Sequence, residues 1–88
     1  MANIASQEKR IHRAERERIE NRRRTSQVKT WLRRLESAVE DGDAARADAE
    51  FRELVSRVDR AVKSGALHRN AGARRKSRAA RIRARLSG

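Results

Sequence analysis

The chain has 88 residues and carries 24 Lys and Arg against 12 Asp and Glu, a net charge of +12 that repels itself and calls for a polyanionic partner. The basic residues are mostly Arg, whose guanidinium groups grip phosphate in two-pronged fashion and stack on bases, which favours nucleic acid over a merely acidic surface. The lack of Cys excludes disulfides and thiolate metal sites, and apolar runs of two or three residues are too short to cross a membrane.

No Pro interrupts the chain, and Ala, Arg, Glu and Leu abound, so long helices are expected. Met1-Ala2-Asn3-Ile4 lacks the apolar core of a signal peptide, so the protein is expected to stay in the compartment where it is made. The first helix is predicted over about 6–40. Asp41-Gly42-Asp43 then reads as a helix stop, a turn and the next N-cap.

Over 5–27 the only large aliphatics are Ile11 and Ile19. Lys9, Arg10, Arg13, Arg16, Arg18, Arg22, Arg23 and Arg24 surround them, and at about 100° per residue they occupy the whole circumference. Such a stretch has no face to bury. It should project as an arm, on a helix reaching roughly 50 Å. Arg13 with Glu17, Arg16 with Glu20 and Glu20 with Arg24 are opposite charges four apart, each worth only about 0.2–0.5 kcal/mol. The arm is therefore expected to fray alone and to order on its partner. Ser6, Asn21, Thr25, Ser26 and Thr30 stand among the arginines and offer groups that often meet phosphate and sugar oxygens.

From Val28 onward the pattern changes. Val28, Trp31, Leu32, Leu35, Ala38 and Val39 form a helical stripe. Ala47, Phe51, Leu54, Val55, Val58, Ala61 and Val62 form another, on a helix predicted over 44–64. Ser64-Gly65 breaks the chain again, and His68 to Asn70 offer capping groups. A third helix, over 69–86, has a narrower stripe of Leu67, Ala79, Ile82 and Leu86, and Gly72 weakens its first turns. The fold class is therefore all-α: a three-helix bundle with a long N-terminal helix extending beyond it. Residues 1–88 are read as a single RNA-binding helical domain.

Charge is unevenly divided. Residues 1–34 hold 11 basic and 4 acidic side chains, residues 35–64 hold 5 and 8, and residues 65–88 hold 8 and none. Both ends should thus face a polyanion and the middle should face away. In the first segment Arg33 and Arg34 join the arm's cations as candidate contacts. In the last, Arg74, Arg75, Lys76, Arg78, Arg81, Arg83 and Arg85 make the helix cationic on several faces.

Other chemistry is poorly supported. Trp31 and Phe51 lie on apolar stripes, so bundle core is the better reading than base-stacking platforms. His12 and His68 stand apart without Cys, so no metal site is expected. Glu36, Glu40, Asp41, Asp43, Asp48, Glu50 and Glu53 are read as a solvent face turned outward, with Asp43 as a helix cap, because no nucleophile or histidine accompanies them. No glycine-rich phosphate loop is present, and three thin helices leave no room for an active-site pocket. The chain is read as no enzyme, without cofactor, small-molecule substrate or membrane association. A nucleoid-type basic helical protein that binds DNA is the alternative function.

Several stretches resemble a known family. Met1-Ala2-Asn3-Ile4 with Ser6 and Lys9-Arg10, then Asn21, Ser26 and Thr30, then Gly42-Asp43, Val58-Asp59-Arg60-Ala61, Leu67-His68-Arg69-Asn70 and Ala73-Arg74-Arg75-Lys76-Ser77-Arg78 resemble the bacterial small-subunit ribosomal proteins of family number twenty. The order and spacing of these stretches cover essentially the whole chain. Ala5 and Glu8 stand where that family often has Lys, and Ala71-Gly72 replaces a usual Lys-Ala.

The resemblance implies three helices, with the first buried in ribosomal RNA low in the body of the subunit. It also implies early, direct binding that ties RNA stems together, in the cytoplasm and within the ribosome. The RNA contacts that it implies are Asn3, Ser6, Lys9, Arg10, Asn21, Ser26, Thr30, His68, Arg69, Asn70, Arg74, Arg75 and Lys76. Arg13, Arg16, Arg22, Arg23, Arg24, Arg33, Arg34, Arg78 and Arg81 are added on charge. Small-subunit ribosomal RNA is the expected partner, with few protein contacts and no homo-oligomer.

Overall fold

A computed structural model of the protein describes residues 3–86, and the side chains of 4–86. Helix α1 spans Asn3–Glu40, α2 Ala44–Lys63 and α3 Arg69–Ala84, and there are no strands among the described residues. The first helix therefore starts three residues earlier than expected, and the third stops two residues sooner.

The turn signals act as their chemistry requires. Gly42 has φ +68, a left-handed conformation that costs Gly nothing. Its N–H donates to the Val39 carbonyl at 3.0 Å, and the Asp43 N–H reaches the Ala38 carbonyl at 3.1 Å. These two bonds satisfy carbonyls that the end of α1 leaves open, as in a Schellman motif. Asp43 then caps α2, its Oδ1 accepting from the Arg46 N–H at 3.0 Å. Gly65 (φ +83) ends α2, and His68 caps α3, with Nδ1 accepting from the Asn70 N–H at 3.1 Å.

α2 returns antiparallel along α1 through the short turn at 41–43. Its 20 residues cover about 30 Å, which matches the last twenty residues of α1. The free arm is accordingly shorter than 5–27. Residues 4–20 are all exposed, whereas Asn21, Arg24, Thr25 and Gln27 are half-buried and Val28 is buried. The molecule is elongated, 66 × 21 × 13 Å, with a radius of gyration of 17.4 Å against about 12 Å for a compact chain of this length.

The core is aliphatic and small. Val28, Leu35 and Ala38 from α1 meet Ala47, Leu54, Val58 and Ala61 from α2 and Ala79 and Ile82 from α3. Leu67 packs against them from the α2–α3 connection, ahead of α3, with its N–H on the Ala61 carbonyl at 3.1 Å. Trp31 and Phe51 are half-buried beside this core rather than inside it. Trp31 lies beneath Arg34 and Arg57, whose guanidinium carbons are 4.7 and 4.4 Å from its ring centre. Arg57 also donates to Glu53 and, across to α1, to Gln27, both at 2.9 Å.

Gly72 is more than a weak point of α3. A Cβ there would sit 2.5 Å from Val62 Cγ2 and 3.4 Å from Val58 Cγ1. Val has one strongly preferred χ1 in a helix, so Val62 has little room to yield. Ala gains about 1 kcal/mol of helix propensity over Gly, while overpacking costs about 1–3 kcal/mol. Gly72→Ala should therefore lower stability by about 1 kcal/mol in urea unfolding, and Val62→Ala should cost less in that background than alone. A more stable Gly72→Ala protein would contradict this packing.

Candidate nucleic-acid interface

The arm supplies the first cationic surface. Lys9, Arg10, Arg13 and Arg16 are exposed, as are Arg18, Ser6 and the apolar Ile4, Ile11 and Ile19. Asn3 opens α1, and its side chain lies outside the described residues. None of the three expected pairs four residues apart forms. The arm's ion pair among the described residues is Arg23 with Glu20, three apart at 3.9 Å. A pair so exposed holds its cation weakly, so Arg23 stays open to a stronger anion.

Where the arm leaves the bundle, Arg16, Glu17, Glu20, Asn21, Arg24 and Ser64 line an open crevice of 380 Å³. Arg24 reaches Asn21 Oδ1 at 3.5 Å, while Arg22 is exposed. Ser26 and Thr30 are exposed, but the Thr30 hydroxyl donates to the Ser26 carbonyl at 3.0 Å. An RNA group would meet that oxygen as an acceptor. Arg33 and Arg34 are exposed further along, Arg34 above Trp31.

The second surface is on α3. His68, Arg69 and Asn70 are exposed at its start, with His68 Nδ1 committed to the cap. Arg74, Arg78, Arg81 and Arg85 recur at four-, three- and four-residue steps and are all exposed, which places them on one face. Ala71, Arg74, Arg75 and Arg78 line a shallow groove of 270 Å³. Arg85, like Arg18 and Lys29 on α1, is exposed and lies outside the expected contacts. The regular spacing from Arg74 was the available signal for Arg85.

Of the acidic residues expected to face solvent, Glu40, Asp41 and Asp43 are exposed, while Glu36 and Asp48 are half-buried and pair across helices. Asp48 on α2 holds Arg83 of α3, and Asp59 holds Lys76 at 2.9 Å. Glu36 on α1 reaches Arg78 at 3.7 Å, and Asp41 takes Arg46 at 3.0 Å. Asp48, Asp59 and Glu36 thus stitch α2 and α1 to α3 by pairing with its cations. Lys76 and Arg78, both expected RNA contacts, are shared with carboxylates. Arg69, Arg74, Arg75 and Arg81 have no ion pair among the described residues.

No group of three His, Cys, Asp or Glu able to hold a metal occurs among the described residues, and none of their helices is long and apolar enough to cross a membrane.

Comparison with known proteins gives one consistent result. A family model described as ribosomal protein S20 matches residues 2–83. The small ribosomal subunit protein bS20 of Koribacter versatilis is 43% identical over 88 residues, covering 99% of both chains. That of Xanthobacter autotrophicus is 45% identical over 83 residues, covering 93% of each. That of Methylococcus capsulatus is 42% identical over 78 residues, 89% of this chain and 85% of the relative.

Proposed function

We propose, from the premise that the chain belongs to the ribosomal protein S20 family, that it binds small-subunit ribosomal RNA directly and bridges its stems during assembly. Members of this family are structural proteins of the small ribosomal subunit, which places the protein in the cytoplasm within the ribosome. The observation that carries the finer reading is the arm with its root: residues 4–20 are exposed on every side, and Arg22, Arg23 and Arg24 complete a ring of cations begun by Lys9, Arg10, Arg13, Arg16 and Arg18. A surface basic on all sides suits a crevice between RNA stems better than the flank of one duplex.

The mechanism is electrostatic. Each phosphate met by Lys or Arg releases condensed counterions. Lys9, Arg10, Arg13 and Arg16 act from the arm, Arg22–Arg24 from its root, and Arg69, Arg74, Arg75 and Arg81 from α3. Residues 4–20 span about 24 Å beyond the bundle, so the two surfaces are far enough apart to meet different stems. Asn21, Ser26, Thr30 and Asn70 add polar contacts to sugar and phosphate, while Lys76 and Arg78 exchange a carboxylate for phosphate or share it. The arm has no tertiary support, so RNA supplies part of what keeps it helical. The whole chain acts as one domain, in single copy, with binding rather than catalysis as its work.

Folded small-subunit RNA competed against plasmid DNA tests this reading. Preference for the RNA by at least tenfold at physiological salt is expected. Equal competition by DNA would favour a nucleoid-type protein instead.

A further inference from the structure

The segment with the negative sum carries a cationic face of its own. Arg52, Ser56, Arg60 and Lys63 recur at four-, four- and three-residue steps on α2, so they share one side of the helix. The buried side is set by Ala47, Leu54, Val58 and Ala61, and at about 100° per residue the cationic row lies opposite it. Arg52, Arg60 and Lys63 are exposed, and none has an ion pair among the described residues. The neighbouring acids are engaged elsewhere, Asp48 by Arg83, Glu53 by Arg57 and Asp59 by Lys76.

We infer that this row is a further contact for a sugar-phosphate backbone, so that RNA lies against the outer side of α2 as well as along the arm and α3. The inference rests on the RNA-binding reading above. Four residues rise about 6 Å along a helix, so successive side chains can reach successive phosphates of one strand. Ser56 can donate its hydroxyl between them. An acidic peptide would meet the same charges but would find no anchor. Ala45 and Ala49, which continue the row, are exposed and too small to hold one, since peptide and protein partners are held by large buried side chains.

The test uses the full chain with Arg52→Ala, Arg60→Ala and Lys63→Ala combined, beside the parent protein. These residues lie outside the core, and the thermal midpoint checks that folding is intact. Filter binding to small-subunit RNA is measured between 50 and 200 mM salt, with hydroxyl-radical footprinting of the RNA. At roughly 0.7–0.9 in slope per phosphate contact, losing three contacts makes the affinity loss across that range about 20- to 40-fold smaller. One set of protected nucleotides should vanish while the arm's protections remain. A variant with the parent's salt slope and footprint overturns the inference alone. A parent whose binding ignores salt overturns the RNA-binding reading, and this contact with it.

Discussion

Reversing Arg22, Arg23 and Arg24 to Glu should flatten the salt dependence of RNA binding while leaving the bundle folded. Arg22 and Arg23 are exposed and Arg24 is half-buried, and none belongs to the core. Arg23 holds only a 3.9 Å pair with Glu20, and Arg24 a 3.5 Å bond to Asn21. Little stability is at stake, and surface changes of this kind usually stay within about 0.5 kcal/mol. The three residues sit where the arm meets the bundle, so RNA that spanned both surfaces would pass them. Losing three phosphate contacts lowers the slope of log affinity against log salt by roughly 2–3. Repulsion from the new carboxylates adds to the loss, so affinity at low salt should fall by more than tenfold. Filter binding across a salt series measures both quantities. If the parent's slope is near zero, or the reversed protein keeps the parent's slope, phosphate neutralisation at the arm is wrong.

Leu35→Ala should strip the bundle of a large share of its stability. Leu35 is fully buried, and the other large side chains buried as deeply are Leu54, Val28 and Val58. Removing a buried Leu side chain costs about 2–5 kcal/mol, depending on how far the neighbours close in. A chain of this length holds about 4–13 kcal/mol in all, and about 1 kcal/mol moves the midpoint by roughly 4–8 °C. A thermal melt followed by circular dichroism should therefore drop by 10 °C or more. Ile11→Ala is the internal comparison, because Ile11 is 58% exposed and should change the midpoint little. Saturating RNA should recover part of the loss, since a ligand that binds only the folded state raises its apparent stability. A melt unchanged by Leu35→Ala would mean that the three stripes do not meet as described.

Much of the fold was legible beforehand because its signals are local. Gly42, Asp43, Gly65 and His68 act within a few residues of themselves, through caps and left-handed turns. The apolar stripes on α1 and α2 are periodic and long. The signals that misled were those needing a partner. Leu67 has the right spacing for the α3 stripe yet packs from the preceding connection, because the N-cap at His68 starts the helix after it. Composition ends the arm at residue 27, where the apolar stripe begins. α2 returns far enough to half-bury Asn21, Arg24, Thr25 and Gln27, and only the length of the antiparallel partner sets that limit. Spacing alone puts Trp31 in the core, but Arg34 and Arg57 cover it at the rim.

The candidate interface divides in the same way. The basic arm and α3 could be read from charge alone, and the motifs along the chain pointed to the family. The acids of the middle segment carry the same sum whether they face water or a neighbouring helix. The structure turns Asp48 and Asp59 toward α3 and leaves Arg52, Arg60 and Lys63 outermost on α2.

The amino-acid order by itself determined three helices, their turns, a free cationic arm and a polyanionic partner, because each follows from periodicity or net charge within one segment. Only the tertiary structure decided which cations are spent on carboxylates and which remain free. A residue's angle on its own helix is set by its position, whereas what it faces depends on where the next helix lies.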